Sequence, residues 1–94
     1  MSRFSLVSDD KRYILVLQTD GNLVLYDRQT NGALWDSKTG GTQPGRLAYQ
    51  IDGNLVLYDR FARVLWNSGT NGKKSDHLIV QDGKFGLLNT VWHN

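Results

Sequence analysis

The stretch Gln18-Thr19-Asp20-Gly21-Asn22-Leu23-Val24-Leu25-Tyr26-Asp27-Arg28 returns thirty-two residues later as Gln50-Ile51-Asp52-Gly53-Asn54-Leu55-Val56-Leu57-Tyr58-Asp59-Arg60, with ten of eleven positions identical. A repeat of this length decides the architecture before any local propensity does, because each copy is one supersecondary unit that must bury its apolar face against the others. Outside the copies the frame continues. Leu34-Trp35-Asp36-Ser37 follows the first and Leu65-Trp66-Asn67-Ser68 the second. A third, eroded copy reads Val80-Gln81-Asp82-Gly83-Lys84-Phe85-Gly86-Leu87-Leu88, then Val91-Trp92-His93-Asn94. The chain is therefore expected to be one domain, 1–94, made of three repeats at about 4–41, 42–72 and 73–94.

Inside each repeat the pattern is that of strands. Leu15, Leu17, Leu23 and Leu25 share one parity, as expected of extended chain with alternate residues on one face. Asp-Gly and Asn-Gly pairs at residues 20, 31, 52, 71 and 82 punctuate the apolar runs as tight turns do. No window has helical periodicity. The reading is an all-β fold of three small sheets about a common centre. All three tryptophans hold one place in the repeat, including the copy whose polar pattern has decayed. A ligand-stacking residue would decay with its site, so Trp35, Trp66 and Trp92 are expected to be the core.

Composition narrows the function. The net charge of +2, with scattered basic pairs such as Lys11-Arg12 and Lys73-Lys74, does not form a phosphate track, so no nucleic-acid partner is expected. No run approaches the roughly 20 apolar residues of a membrane span. With no cysteine, thiol catalysis and thiolate metal sites are excluded, and no cofactor or metal is expected. The first thirteen residues hold no sustained apolar run, so no cleavable secretory signal is expected; a cytoplasmic or non-classically released protein is.

The chemistry lies in alternate residues of the repeat: Gln18, Asp20, Asn22, Val24, Tyr26, and Gln50, Asp52, Asn54, Val56, Tyr58. In extended chain these share one face and the leucines take the other. With the leucines inside, Gln, Asp, Asn and Tyr are presented to solvent around one small aliphatic residue. A pyranose asks for that set. Its hydroxyls donate and accept, the carboxylate accepts strongly, the amides do both, and the phenol adds a hydroxyl on a rigid arm. Valine offers an apolar floor for ring carbons. Each motif holds one carboxylate and no histidine or serine, whereas a glycosidase needs two flanking carboxyl groups. Asp27 and Asp59 have the opposite parity. Binding without turnover is the consequence, so no enzyme is expected; His77 and His93 lie outside the motifs.

The pattern Gln-x-Asp-x-Asn-x-Val-x-Tyr, present twice within the triplicate tryptophan frame, resembles the signature of the monocot mannose-binding, or bulb-type, lectins. The resemblance implies a β-prism II fold, with three four-stranded antiparallel sheets around a pseudo-threefold axis. It implies that Asp20 and Asn22 bind the axial 2-hydroxyl of mannose, Gln18 the 3-hydroxyl and Tyr26 the 4-hydroxyl, with Val24 against the ring carbons. Asp52, Asn54, Gln50, Tyr58 and Val56 take the same roles in a second site. In the third copy Val80, Asp82, Lys84, Gly86 and Leu88 stand at the five places, so only the aspartate survives. A one-residue deletion would make Gln81 the glutamine, with the asparagine and tyrosine still missing. That site is expected to be inactive. Plant members of the family usually carry a disulfide with one cysteine in the slot that Gly21 holds here.

Four hydrogen bonds to a hydrated sugar, at about 1 kcal/mol net each, give roughly millimolar affinity. Multivalency must raise it. A homodimer is expected, and the apolar C-terminal stretch from Leu87 to Asn94 could be exchanged between chains or could close its own sheet. Mannose-type glycans are the expected partners. Two other roles for the same fold are a sugar-independent protein-interaction module and the targeting domain of a lectin-like bacteriocin.

Overall fold

The computed structural model describes residues 4–50, 53–70, 78–87 and 92–93, with the backbone alone at 44, 78, 87, 92 and 93. Ten strands succeed one another: β1 (Phe4–Val7), β2 (Tyr13–Leu17), β3 (Leu23–Asp27), β4 (Gly32–Asp36), β5 (Pro44–Tyr49), β6 (Leu55–Asp59), β7 (Val64–Asn67), β8 (Leu78–Gln81), β9 (Lys84–Leu87) and β10 (Trp92–His93). They form three antiparallel sheets, ordered β1-β2-β3-β4, β5-β6-β7 and β10-β9-β8. The described residues contain no helix. The last strand pairs with β9 of its own chain, Trp92 opposite Gly86 and His93 opposite Phe85.

The first sheet has the expected four strands; among the described residues the other two have three each. For the second sheet the reason is visible between β4 and β5. Only residues 37–43 connect them, and they turn across the β2–β3 hairpin. The Thr39 hydroxyl donates to the Gly21 carbonyl at 2.6 Å and the Gly41 N–H to the Asp20 carbonyl at 2.8 Å. A counterpart of β1 has no chain left to form it.

The leucines face inward as their parity requires. Leu15, Leu17, Leu23, Leu25, Leu55 and Leu57 join Val80 and Phe85 in one buried cluster drawn from all three sheets. Trp35 and Trp66 pack on it edge-to-face with ring centroids 5.3 Å apart, and Phe85 meets them at 4.8 Å and 6.2 Å. Phe85 thus supplies the third sheet's aromatic at this centre; the expectation for the Trp92 side chain lies outside the described residues.

A bulge aims both tryptophans. Leu25 pairs with Trp35 and Tyr26 with Ala33, which leaves Leu34 as an extra residue. Leu57 pairs with Trp66 and Tyr58 with Val64, which leaves Leu65. The extra residue reverses the parity of the rest of its strand. Trp35 and Trp66 therefore point inward, and the residues after them, Asp36 and Asn67, turn to the outer face opposite Val24 and Val56.

Beneath this, two carboxylates are buried and paired. Asp27 takes Arg12 through two hydrogen bonds, Nε at 3.2 Å and Nη2 at 3.0 Å, and Asp59 takes Arg63 Nε at 2.8 Å. Arg12 is thus an ion-pair partner that remains partly exposed; Lys73 and Lys74 lie outside the described residues.

Candidate functional site

The motif face of the first sheet is built on the β2–β3 hairpin. Gln18 N–H donates to the Asn22 carbonyl at 2.9 Å, and Gly21 N–H to the Gln18 carbonyl at 3.0 Å, around a three-residue loop. The second hairpin repeats both bonds, Gln50 to Asn54 at 2.8 Å and Gly53 to Gln50 at 2.9 Å. Gly21 and Gly53 take φ of +92° and +90°, the left-handed conformation that closes such a loop. The slot at Gly21 has no room for a side chain, since a Cβ would collide with the Thr42 hydroxyl and lie 2.7 Å from the Thr42 carbonyl oxygen.

Side chains on this face lock to one another. The Gln18 amide donates to the Tyr26 hydroxyl, and the Gln50 amide to the Tyr58 hydroxyl at 2.5 Å. Asn22 Oδ1 accepts from the Ser37 hydroxyl and the Thr39 N–H, both at 3.2 Å. Asn54 Oδ1 accepts from the Ser68 hydroxyl, Gly69 N–H and Thr70 N–H at 3.1, 3.1 and 3.3 Å. With their oxygens tied down, both amides are fixed in orientation. Asp20 Oδ1 accepts the Asn22 N–H at 2.9 Å, and its carboxylate is otherwise exposed. Asp52 lies outside the described residues.

Two features differ from the sequence expectation. Val24 and Val56 are only 3% exposed, so neither is the open apolar floor expected. The Gln–Tyr bonds explain this. Tyr26 stands level with Ile14, Val24 with Val16, and Gln18 is bonded to Asn22 at the hairpin end. The bridge from Tyr26 to Gln18 therefore crosses the Val16–Val24 level. The second difference is a carboxylate that the motif does not contain. Asp36, brought opposite Val24 by the bulge, accepts the Asn22 side-chain N–H through Oδ2 at 3.0 Å. The first site thus holds two carboxylates rather than one. A reading of the motif alone misses it, because without the bulge Asp36 has the parity of the core.

In the third sheet Val80 pairs with Phe85 and Gln81 with Lys84, across a two-residue turn of Asp82 and Gly83 with φ of +53° and +75°. This hairpin loop is one residue shorter than the other two, so Gln81 stands where Gln18 stands in the first. Val80 is a core residue, 4% exposed, rather than the counterpart of the glutamine. Asp82 is exposed within the turn, Lys84 is exposed on the strand, and Gly86 leaves the valine place without a side chain. Leu88 lies outside the described residues. A cleft of about 380 Å³ lined by Leu6, Asp9, Asp10, Val80, Gln81 and Asp82 runs between β1 and β8 and touches neither intact motif. Among the described residues no cluster of three or more His, Asp or Glu side chains is placed to hold a metal ion.

No protein-family model matches the chain, and no curated protein does. Solved structures do. A lectin from Polygonatum cyrtonema, complexed with a monomannoside, is 39% identical with a TM-score of 0.71, over 98% of this chain and 79% of that one. A Marasmius oreades lectin is 30% identical with a TM-score of 0.74, over 90% of this chain and 71% of that one. The mannose-specific agglutinin of snowdrop, Galanthus nivalis, complexed with methyl-α-D-mannoside, is 31% identical with a TM-score of 0.66, over 99% and 85%. The fold is the β-prism II of the snowdrop agglutinin. On the repeated motif, the three sheets and these likenesses together, the chain belongs to the bulb-type, monocot mannose-binding lectin family.

Proposed function

We propose that this carbohydrate-binding lectin recognises mannose-containing glycans through two sites, Gln18-Asp20-Asn22-Val24-Tyr26 and Gln50-Asp52-Asn54-Val56-Tyr58. The observation that carries the reading is the fixed amide of each asparagine. Asn22 and Asn54 have their oxygens held by the Ser-Thr pair behind them, so an N–H is aimed rather than free to rotate. Beside Asn22, Asp20 offers an exposed carboxylate, a strong acceptor for a sugar hydroxyl. An axial 2-hydroxyl needs such a donor and acceptor side by side. The neighbours from Polygonatum and snowdrop, solved with mannosides, support the choice of sugar.

The third copy contributes no site in this reading. Its shortened turn removes the loop on which Asp20 sits, and lysine and glycine replace the asparagine and valine. The protein binds and does not turn over its ligand; its solved neighbours are lectins. Shallow sites of roughly millimolar affinity are made useful by a homodimer, which doubles the number of engagements.

The test is calorimetric titration with a mannose-terminated oligosaccharide against glucose and galactose controls, on the unaltered protein and on Asn22→Ala/Asn54→Ala. Mannose-selective binding at about two sites per chain, abolished in the double variant, is the expected result. Absence of binding at millimolar sugar would sink the reading and favour a protein-interaction role. Light scattering on the same samples reads the oligomeric state.

A further inference from the structure

The two motif faces share most of their contacts; they differ in a cation, since Arg46 lies 4.6 Å from the Tyr58 ring where Ile14 stands beside Tyr26, and in one acceptor. Thr39 bonds the Gly21 carbonyl and Thr70 the Gly53 carbonyl, each at 2.6 Å. Ser37 and Ser68 both cap the preceding strand, accepting the N–H of Leu23 and Leu55 at 3.0 Å. The differing acceptor lies just after the tryptophan. It is Asp36 opposite Val24 in the first sheet, and Asn67 opposite Val56 in the second.

The two side chains also behave differently. Asp36 is half-buried and turned along the motif face, with Oδ2 on the Asn22 amide. Its Oδ1 accepts no hydrogen bond from the described residues. Asn67 is exposed and curls back on its own loop, its Oδ1 accepting the Gly69 N–H at 2.9 Å. The first face therefore carries two carboxylates joined through Asn22, and on the second an amide stands where Asp36 stands on the first.

We propose that Asp36 is a sixth ligand-contacting residue of the first site and makes that site more receptive than the second to a hexose bearing an ammonium group. This rests on the mannose reading above, in which Asp20 and Asn22 bind the substituent on carbon 2. A group at that carbon lies against Asn22, and Asp36 is the next side chain bonded to it. An ammonium has three donors and no acceptor, so it forfeits the asparagine N–H in both sites alike and gains only from carboxylates, which accept. Bonds between the two are charge-assisted, and the second site, with an amide in place of Asp36, offers one fewer. A neutral hydroxyl gains less from the exchange of Asn for Asp than an ammonium does. On a half-buried surface the expected preference is roughly three- to tenfold, weakened by salt.

The experiment isolates each site. Asn54→Ala leaves the first and Asn22→Ala the second, and each is titrated with methyl α-mannoside and with 2-amino-2-deoxymannose at about pH 6, where the amine is protonated. In the first site the amino sugar is expected to gain roughly three- to tenfold in affinity over the mannoside, relative to the same ratio in the second. Asp36→Asn in the first-site protein should erase the gain, and Asn67→Asp in the second-site protein should create one. The reciprocal variant keeps the test decisive if Asp36→Asn folds poorly. Equal ratios in both sites, or a ratio untouched by both exchanges, would overturn the role of Asp36 while leaving mannoside binding intact. If methyl α-mannoside binds at neither site, the mannose reading falls and this assignment with it.

Discussion

Trp35 lies opposite Leu25 on the inner face of the first sheet, and it does so because Leu34 is bulged out of register. One inserted residue therefore does two jobs. It turns the largest side chain of the repeat into the core, against Trp66 and Phe85, and it delivers Asp36 to the motif face. Trp35→Ala would remove ring contacts to both partners at once. The expected cost is about 3–5 kcal/mol, as for other large aromatic truncations. In a domain of this size that lowers the melting temperature by roughly 12 °C or more. Circular dichroism melts read it, and a loss under about 1 kcal/mol would show that the tryptophan is not a core element.

Thr70 is 1% exposed, and its hydroxyl donates to the Gly53 carbonyl while sharing a 2.6 Å contact with Ser68. Thr70→Val keeps the shape and removes the donor. Gly53 then has a carbonyl without its buried partner, which costs about 1–3 kcal/mol. Because Ser68 also holds Asn54 Oδ1, the second site should bind more weakly than the first, which is untouched. Site-resolved chemical-shift titration separates them; equal weakening at both sites would mean that the variant acts through global stability alone.

Acid should loosen the fold through two buried carboxylates paired to surface arginines. The side-chain hydrogen bonds from Arg12 hold the Asp27 carboxyl below its ordinary value, against the opposing effect of burial. For Asp59, burial is the largest single influence and pushes upward. The backbone and side-chain bonds from Arg63, with the Phe61 N–H, together outweigh it and leave the value lowered. A depressed carboxylate stabilises the native state above its unfolded value of about 3.9, and that contribution is lost as pH falls through the folded value. Urea midpoints should therefore drop between about pH 5 and pH 3. Asp27→Asn/Asp59→Asn should be less stable near neutrality but fall less steeply. Part of the slope should survive in it, because Asp10, lowered by the Ser8 hydroxyl and the Arg12 N–H, remains. A slope unchanged by the double variant would place the acid sensitivity elsewhere.

Much of this was legible in the repeat itself. Period-two leucines put six side chains into the core, and the Asp-Gly pair marks the three-residue loops at Gly21 and Gly53. Three things were not. The bulges at Leu34 and Leu65 leave no composition signal, yet the first reverses the parity of Asp36, and alternation alone assigns faces in a sequence. The burial of Val24 depends on Tyr26 reaching Gln18 eight positions away in sequence, a contact that alternation cannot express. The choice between Val80 and Gln81 at the glutamine place was open in the sequence, since a turn of two positive-φ residues and a loop of three both read as Asp-Gly; the shorter third loop decides it for Gln81.

Gly21 links the loop after β4 to the first site, and a methyl group there should uncouple them. At φ of +92° any side chain is strained, at about 1–3 kcal/mol for a non-glycine residue in such a region. A collision adds to this, because the Cβ would strike the Thr42 hydroxyl and press on its carbonyl. Thr42 cannot yield alone: its hydroxyl donates to the Thr39 carbonyl at 2.7 Å, and the Thr39 N–H holds Asn22 Oδ1. Gly21→Ala is therefore expected to weaken mannoside binding at the first site as well as stability, with the second site unaffected. Gly41→Ala is the matched control. Its φ of +87° imposes the same backbone strain, but nothing lies within 4 Å of the added Cβ. It should lower the melting temperature and leave both affinities where they were. If both variants weaken the first site alike, backbone strain in the loop sets the affinity and the Thr42–Thr39–Asn22 chain does not.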